Sequence, residues 1–197
     1  MTKRRILFFF LMSGLILAAV IGVSVYQSHI GPSEEEVTAV LTTFIDRIRI
    51  GDMNGARNML TEETRSLLRD SGTSLGRSVY RNLSLKSADN VMEEDKDVFR
   101  VEVILNAPDT LKIMAAAGIM FGERIVENGP EEDADGLMEA IYDEILSRND
   151  LPMMDHFCAV RLELRDGRLQ IRADEALQQA LEGDSLSNSE LLMKMGD

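Results

Sequence analysis

Cysteine, histidine and positive charge are scarce in this 197-residue chain, and each scarcity closes off a class of function. A single cysteine, Cys158, excludes an intrachain disulfide. Its place far along the chain also excludes a lipid-bearing cysteine behind an export signal. The two histidines, His29 and His156, stand far apart, and with one thiol they form no zinc-type spacing. Lysine and arginine number 21 against 34 acidic residues. Setting aside Lys3, Arg4 and Arg5 leaves 18 against 34, a net charge of −16, which excludes binding of nucleic acid by bulk charge. No nucleophile elbow, phosphate loop or paired-carboxylate motif is present, so the sequence names no reaction, no metal and no cofactor.

What is present begins at the N-terminus. Ile6–Tyr26 is 21 residues without a charge, preceded by the three basic residues. At 1.5 Å per residue such a helix spans a hydrocarbon core of about 30 Å. A cleavable signal has a shorter apolar region of about 7–15 residues and a small-residue cut site, which Gly22 and Ser24 supply poorly. The expectation is a single-pass signal-anchor over 6–26, with a cleaved signal as the alternative. Residues 1–5 are then cytoplasmic, 27–32 form a short juxtamembrane linker, and the C-terminal domain is extracytoplasmic at the cell membrane.

Residues 33–183 carry the pattern of one α+β domain, with 184–197 as a tail. In "PSEEEVTAVLTTFIDRIRIGD", Ser33 and Glu36 have capping-box spacing, and Val37, Val40, Leu41, Phe44 and Ile48 recur at helical intervals before Gly51. Short helices are expected behind Asp52 and behind Thr61. The period then changes to two: Phe99, Val101, Val103 and Leu105 alternate with Arg100 and Glu102, predicting a half-buried strand whose partner falls at about Tyr80–Met92. Two helices, about 109–148, come next as an insertion on either side of the acidic stretch "NGPEEDADG". "FCAVRLELRDGRLQIR" is a hairpin about Asp166–Gly167, with Arg165 facing Arg168, Leu164 facing Leu169 and Leu162 facing Ile171. A helix through "ADEALQQALEGD" closes the domain.

Helices, then strands, then a "DGRLQI" hairpin and a short terminal helix: this order, with "FIDRIRIGDMNGARNMLTEE" and "VFRVEVILNAPDTLKIM", resembles the nuclear transport factor 2-like superfamily. It is similar in particular to uncharacterised exported, often lipoprotein, domains of Gram-positive bacteria. The resemblance implies a cone, a curved antiparallel sheet wrapped on the N-terminal helices, with a pocket between helix and sheet. Two departures stand out. The hairpin has Leu169 where that family usually has tryptophan, and the lipid-bearing cysteine is missing.

Three sets of residues are candidates for function. Arg161, Arg165, Arg168 and Arg172 share the outer face of the hairpin by alternation and suit an anionic partner: lipid headgroups, a wall polymer or an acidic protein. The competing expectation is that Glu163, Glu102 and other carboxylates neutralise them. "IMAAAGIMF" is apolar on nearly every side, so Met114, Ala117, Gly118 and Phe121 mark core packing, a cavity wall, or a homodimer seam along Ala115–Gly118. Met120, Met138, Met153 and Met154 would join Met114 in lining such a cavity. His156 is a general-base candidate, since on a strand it shares the inward face with Cys158 while Asp155 points away. The function expected is a membrane-anchored binding or scaffolding domain of the bacterial cell envelope. The alternatives are a small-molecule enzyme using His156 and a structural dimerisation module of a membrane complex.

Overall fold

Ser33 starts the first helix in the way its spacing requires. Its hydroxyl accepts the Glu36 amide at 3.2 Å, and the Glu36 carboxylate accepts the Ser33 amide at 2.9 Å. The computed structural model describes residues 31–70, 72–129 and 133–184. The chain divides into two compact units, Met1–Pro32 and Ser33–Asp197, and the elements named below belong to the second. No helix among the described residues is long and apolar enough to cross a membrane, and the anchor expected at Ile6–Tyr26 lies outside them.

Helix α1 (Glu34–Arg49) buries Val37, Leu41, Phe44, Ile45 and Ile48 on one stripe and stops where Gly51 turns left-handed at φ 82°. Helix α2 (Met53–Arg57) is capped by Asp52, whose carboxylate accepts the Gly55 amide at 2.9 Å. The segment behind Thr61 is a 3-10 helix, Glu62–Leu67, without the side-chain cap expected of Thr61. The Thr61 hydroxyl is instead 2.9 Å from that of Thr64, which in turn accepts the Ala173 amide at 3.2 Å.

Helix α3 (Ser74–Asn82) corrects the expected strand start at Tyr80. Thr73 accepts the Gly76 amide at 3.1 Å, and Leu75, Val79 and Tyr80 are buried at helical spacing, so Tyr80 is helical. The strand begins two residues after the helix ends, at Ser84.

Four strands form an antiparallel sheet of order β1-β2-β3-β4: β1 (Ser84–Asp95), β2 (Val98–Pro108), β3 (Met153–Arg165) and β4 (Arg168–Arg172). Between β2 and β3 the chain leaves the sheet for α4 (Thr110–Asn128) and α5 (Ala134–Leu146), and α6 (Glu175–Leu181) ends the order. The β3–β4 hairpin has the register its turn chemistry dictates. Asp166 and Gly167 take φ of 51° and 72°, and Arg165 faces Arg168, Leu164 faces Leu169 and Leu162 faces Ile171.

Alternation then sorts the sheet. Phe99, Val101, Val103, Leu105, Val160, Leu162 and Ile171 are buried on one face, and all but Phe99 join the α1 stripe in a single core. At about 1.5–3 kcal/mol per buried large apolar side chain, the five from α1 alone contribute on the order of 10 kcal/mol of transfer free energy. Met59–Thr61 guards the β4 edge: the Thr61 amide donates to Ile171 and the Ile171 amide to Met59, each at 2.9 Å. The β1 edge carries Lys86, Asp89, Glu93, Glu94 and Asp95 instead, and its register is broken by bulges, one of them at Asn90 with φ 57°.

Candidate functional site

The face of the sheet opposite the core is the most unusual surface of the described residues. The β2–β3 register sets Arg100 opposite Arg161, and the β3–β4 register sets Arg161 opposite Arg172. Three arginines therefore lie in a row across three strands, which is unfavourable unless acids intervene. They do. Arg161 donates twice to Glu94, at 2.6 and 3.2 Å, and also approaches Asp174 at 3.7 Å. Glu163 receives Arg172 at 3.4 Å and Arg165 at 2.6 Å, and Arg165 also reaches Glu63 at 3.2 Å. These contacts leave their mark on acidity. The Arg161 guanidinium holds the Glu94 carboxyl below its ordinary value, and Glu163 and Glu63 raise Arg165.

Of the four hairpin arginines, only Arg168 makes no ion pair among the described residues. The expectation of an open anionic-partner face is thus reduced to Arg168 and Arg100, with the other three held by carboxylates. Glu102 is not one of those neutralising carboxylates, because it accepts from Asn90 at 2.7 Å.

Below the arginine row the outer face turns apolar. Phe157 is 75% exposed in mid-strand, opposite Ile104. With Ala159, Ser87, Asp89, Asn90, Arg100 and Glu102 these two line an open groove of about 440 Å³. Its lower border is the Asn106–Asp155 pair, where Asp155 accepts from Lys86 at 2.7 Å and from Asn106 at 2.6 Å. Those donors, Lys86 first, keep the Asp155 carboxyl below its ordinary value. An exposed aromatic paired with an isoleucine, in a groove with charged borders, matches the aromatic core and polar rim of an interface. Neither Phe157 nor Arg100 stands out in the sequence. The alternation in "VFRVEVIL" and "MDHFC" carries the signal for their direction.

His156 points into the core, as its parity requires, and is 4% exposed. Its Nδ1 lies 2.9 Å from the carboxylate of Asp184, while Nε2 is buried and has no hydrogen-bond partner among the described residues. Asp184 follows α6 in a left-handed turn, where Thr110 donates to the Gly183 carbonyl at 2.5 Å. Cys158 shares that inward face, but burial pushes its thiol up to about 11, the reverse of an activated nucleophile.

The apolar helix α4 divides its candidate residues. Ala117 is fully buried, Met114 and Phe121 pack half-buried on the core, and Gly118 alone is exposed. Met120 and Met138 also pack on the core, whereas Met153 and Met154 are more than a third exposed at the start of β3. None of these methionines lines the outer-face groove. A separate cleft of about 280 Å³ lies at the end of α1, lined by Ile48, Arg49, Ile50, Arg77, Tyr80 and Arg81 among others.

No protein-family model matches the chain, and no curated protein or solved structure is significantly similar to it.

Proposed function

We propose that this is a membrane-anchored, extracytoplasmic binding or scaffolding domain of the bacterial cell envelope, docking a protein partner through the outer face of its sheet. The observation that carries the reading is Phe157, three-quarters exposed on that face opposite Ile104, in a groove that Arg100 also lines. Burying a phenylalanine side chain releases about 1.5–3 kcal/mol, so a solvent-facing one on the sheet face favours association. The uncharged run Ile6–Tyr26 behind three basic residues supports the anchor and the export of the domain behind it. Helices before strands, α1 laid on the inward face, and the extended Met59–Thr61 segment beside β4 support a cone of the nuclear transport factor 2-like kind.

The test uses the full chain in bacterial membranes. A C-terminal tag should be cut by protease added outside intact spheroplasts, and mild detergent should extract a complex that Phe157→Asp disperses without lowering the melting temperature. A protected tag, or an unchanged complex in the Phe157→Asp variant, refutes the reading.

One observation favours a second reading, a small-molecule enzyme with His156 as general base. Asp184 holds Nδ1 and so leaves Nε2 as the free nitrogen, the geometry of an oriented base. His156 is 4% exposed, so substrate access would require the Gly183–Asp184 turn to open. Solvent exchange of the His156 ring proton on the millisecond scale, measured by NMR, would support that opening. Protection over hours would exclude it.

A further inference from the structure

Helix α4 has a second apolar face that no described residue of its own chain covers. Its inward side is Ile113 and Ala117, both buried, and α5 packs beside it. On the opposite side, at 100° per residue, half-buried Leu111 and exposed Ala115, Gly118, Ile119, Gly122 and Val126 fall within a single 100°-wide stripe. Ile119 is 64% and Val126 86% exposed, and a side chain added at Gly118 or Gly122 would meet nothing. This is an open, shallow-floored strip with two large projecting side chains.

The strip can pair with a second copy of itself when the helix is reversed. With the midpoint of residues 118 and 119 on the two-fold axis, Ala115 lies level with Gly122 and Leu111 with Val126 of the second copy. Like flanks meet, so Ile119 packs on Ile119 of the other copy and Gly118 lies beside Gly118. The charges agree with the same register. Lys112 and Glu123 flank the strip on one side, both exposed, and antiparallel helices bring like flanks together, so Lys112 of each copy approaches Glu123 of the other. Lys112 already reaches Asp109 of its own helix at 3.0 Å, so it would sit between two carboxylates. Parallel pairing sets opposite flanks together and so makes neither Lys112–Glu123 contact.

We infer that α4 is the seam of a homodimer, formed by antiparallel pairing of this face with the same face of a second copy. A 19-residue helix is about 28 Å long and covers less than the roughly 800 Å² per partner of a standard interface, so the dimer is dynamic and concentration-dependent. Confinement of two copies in one membrane would raise their effective concentration and favour it. The seam is built from different residues than the Phe157 groove and stands without it.

The experiment is disulfide trapping in the full chain in membranes, on a Cys158→Ala background. Ile119→Cys lies within about 1.5 Å of axial register with its own copy and should cross-link to dimer in high yield. Val126→Cys alone is about 22 Å out of register with itself and should not. Leu111→Cys mixed with Val126→Cys should give the heterodimer band. Lys112→Glu should reduce trapping at position 119 several-fold, and adding Glu123→Lys should restore it. Monomer only at 119, or a Val126→Cys homodimer as strong as that at 119, overturns the inference. So does quenching of a fluorophore at 119 by lipid-borne quenchers, which would assign the strip to the bilayer. Phe157→Asp should leave every one of these cross-links in place, which separates this result from that of the groove.

Discussion

The buried imidazole of His156 is the sharpest energetic anomaly of the domain, and substitution should expose it. Nε2 is buried without a partner among the described residues, and a buried unsatisfied nitrogen costs about 1–3 kcal/mol. His156→Leu keeps a comparable volume, removes that cost, and loses one hydrogen bond of about 1.5–3 kcal/mol to a charged acceptor. Asp184 is 37% exposed, so water solvates the carboxylate once the imidazole is gone. The terms nearly cancel, and His156→Leu should sit within about 1 kcal/mol of wild type. Asp184→Gly is the contrasting change. Glycine fits the left-handed turn at φ 55°, but both ring nitrogens are then orphaned, at a further cost of about 1–3 kcal/mol. For a domain of this size each kcal/mol moves the melting temperature by about 2–4 °C. The expected order is therefore a shift of no more than about 4 °C for His156→Leu, a fall of about 2–12 °C for Asp184→Gly, and no added loss in the double variant. Calorimetry of the domain reads all three. A His156→Leu variant that melts well below Asp184→Gly would refute the reasoning, since Nε2 would then be satisfied in solution.

Three further outcomes rest on particular contacts. Cys158, with its thiol raised to about 11 by burial, should react with a disulfide reagent at pH 8 far more slowly than the same thiol in urea, and equal rates would contradict that burial. Glu63, Glu94 and Asp155 are all held below their ordinary values of 4.5, 4.5 and 3.8, so the folded state binds fewer protons than the unfolded one as pH falls. Their stabilisation is present above that range and is lost as pH drops through the depressed values. The melting temperature should decline below about pH 4.5, less steeply in a Glu63→Gln/Glu94→Gln variant. Gly55→Ala should be close to neutral in urea unfolding rather than give the usual gain of about 1 kcal/mol, because the new methyl displaces the Asp52 cap and its Arg47 partner.

Local chemistry explains what can be read from residues alone. Asp166–Gly167 sets its turn, and the turn sets the register of six side chains. Ser33 with Glu36 starts α1, and Gly51 stops it. Helix α3 is hidden because Gly76, Ser78 and Arg77 interrupt its apolar positions, while Tyr80–Met92 contains enough β-favouring residues to suggest one strand. Helix α4 is apolar almost all round, so periodicity alone does not choose its inward face. Contact with α5 puts Ala117 inside and Gly118 out. The His156–Asp184 contact joins residues 28 positions apart through the turn after α6, with no local signature. Alternation directs Phe157 and Arg100 outward. That the face is left uncovered, and that Arg100 aligns with Arg161 across the inserted helices, is set only by tertiary packing.

The proposed docking face is tested most directly by a photo-reactive amino acid at position 157 of the full chain in intact cells, with exposed Glu139 on α5 as the control position. The account predicts a discrete protein adduct at 157 that persists in the Ile119→Asp background, and none at 139. Equal, diffuse labelling at both positions would contradict it.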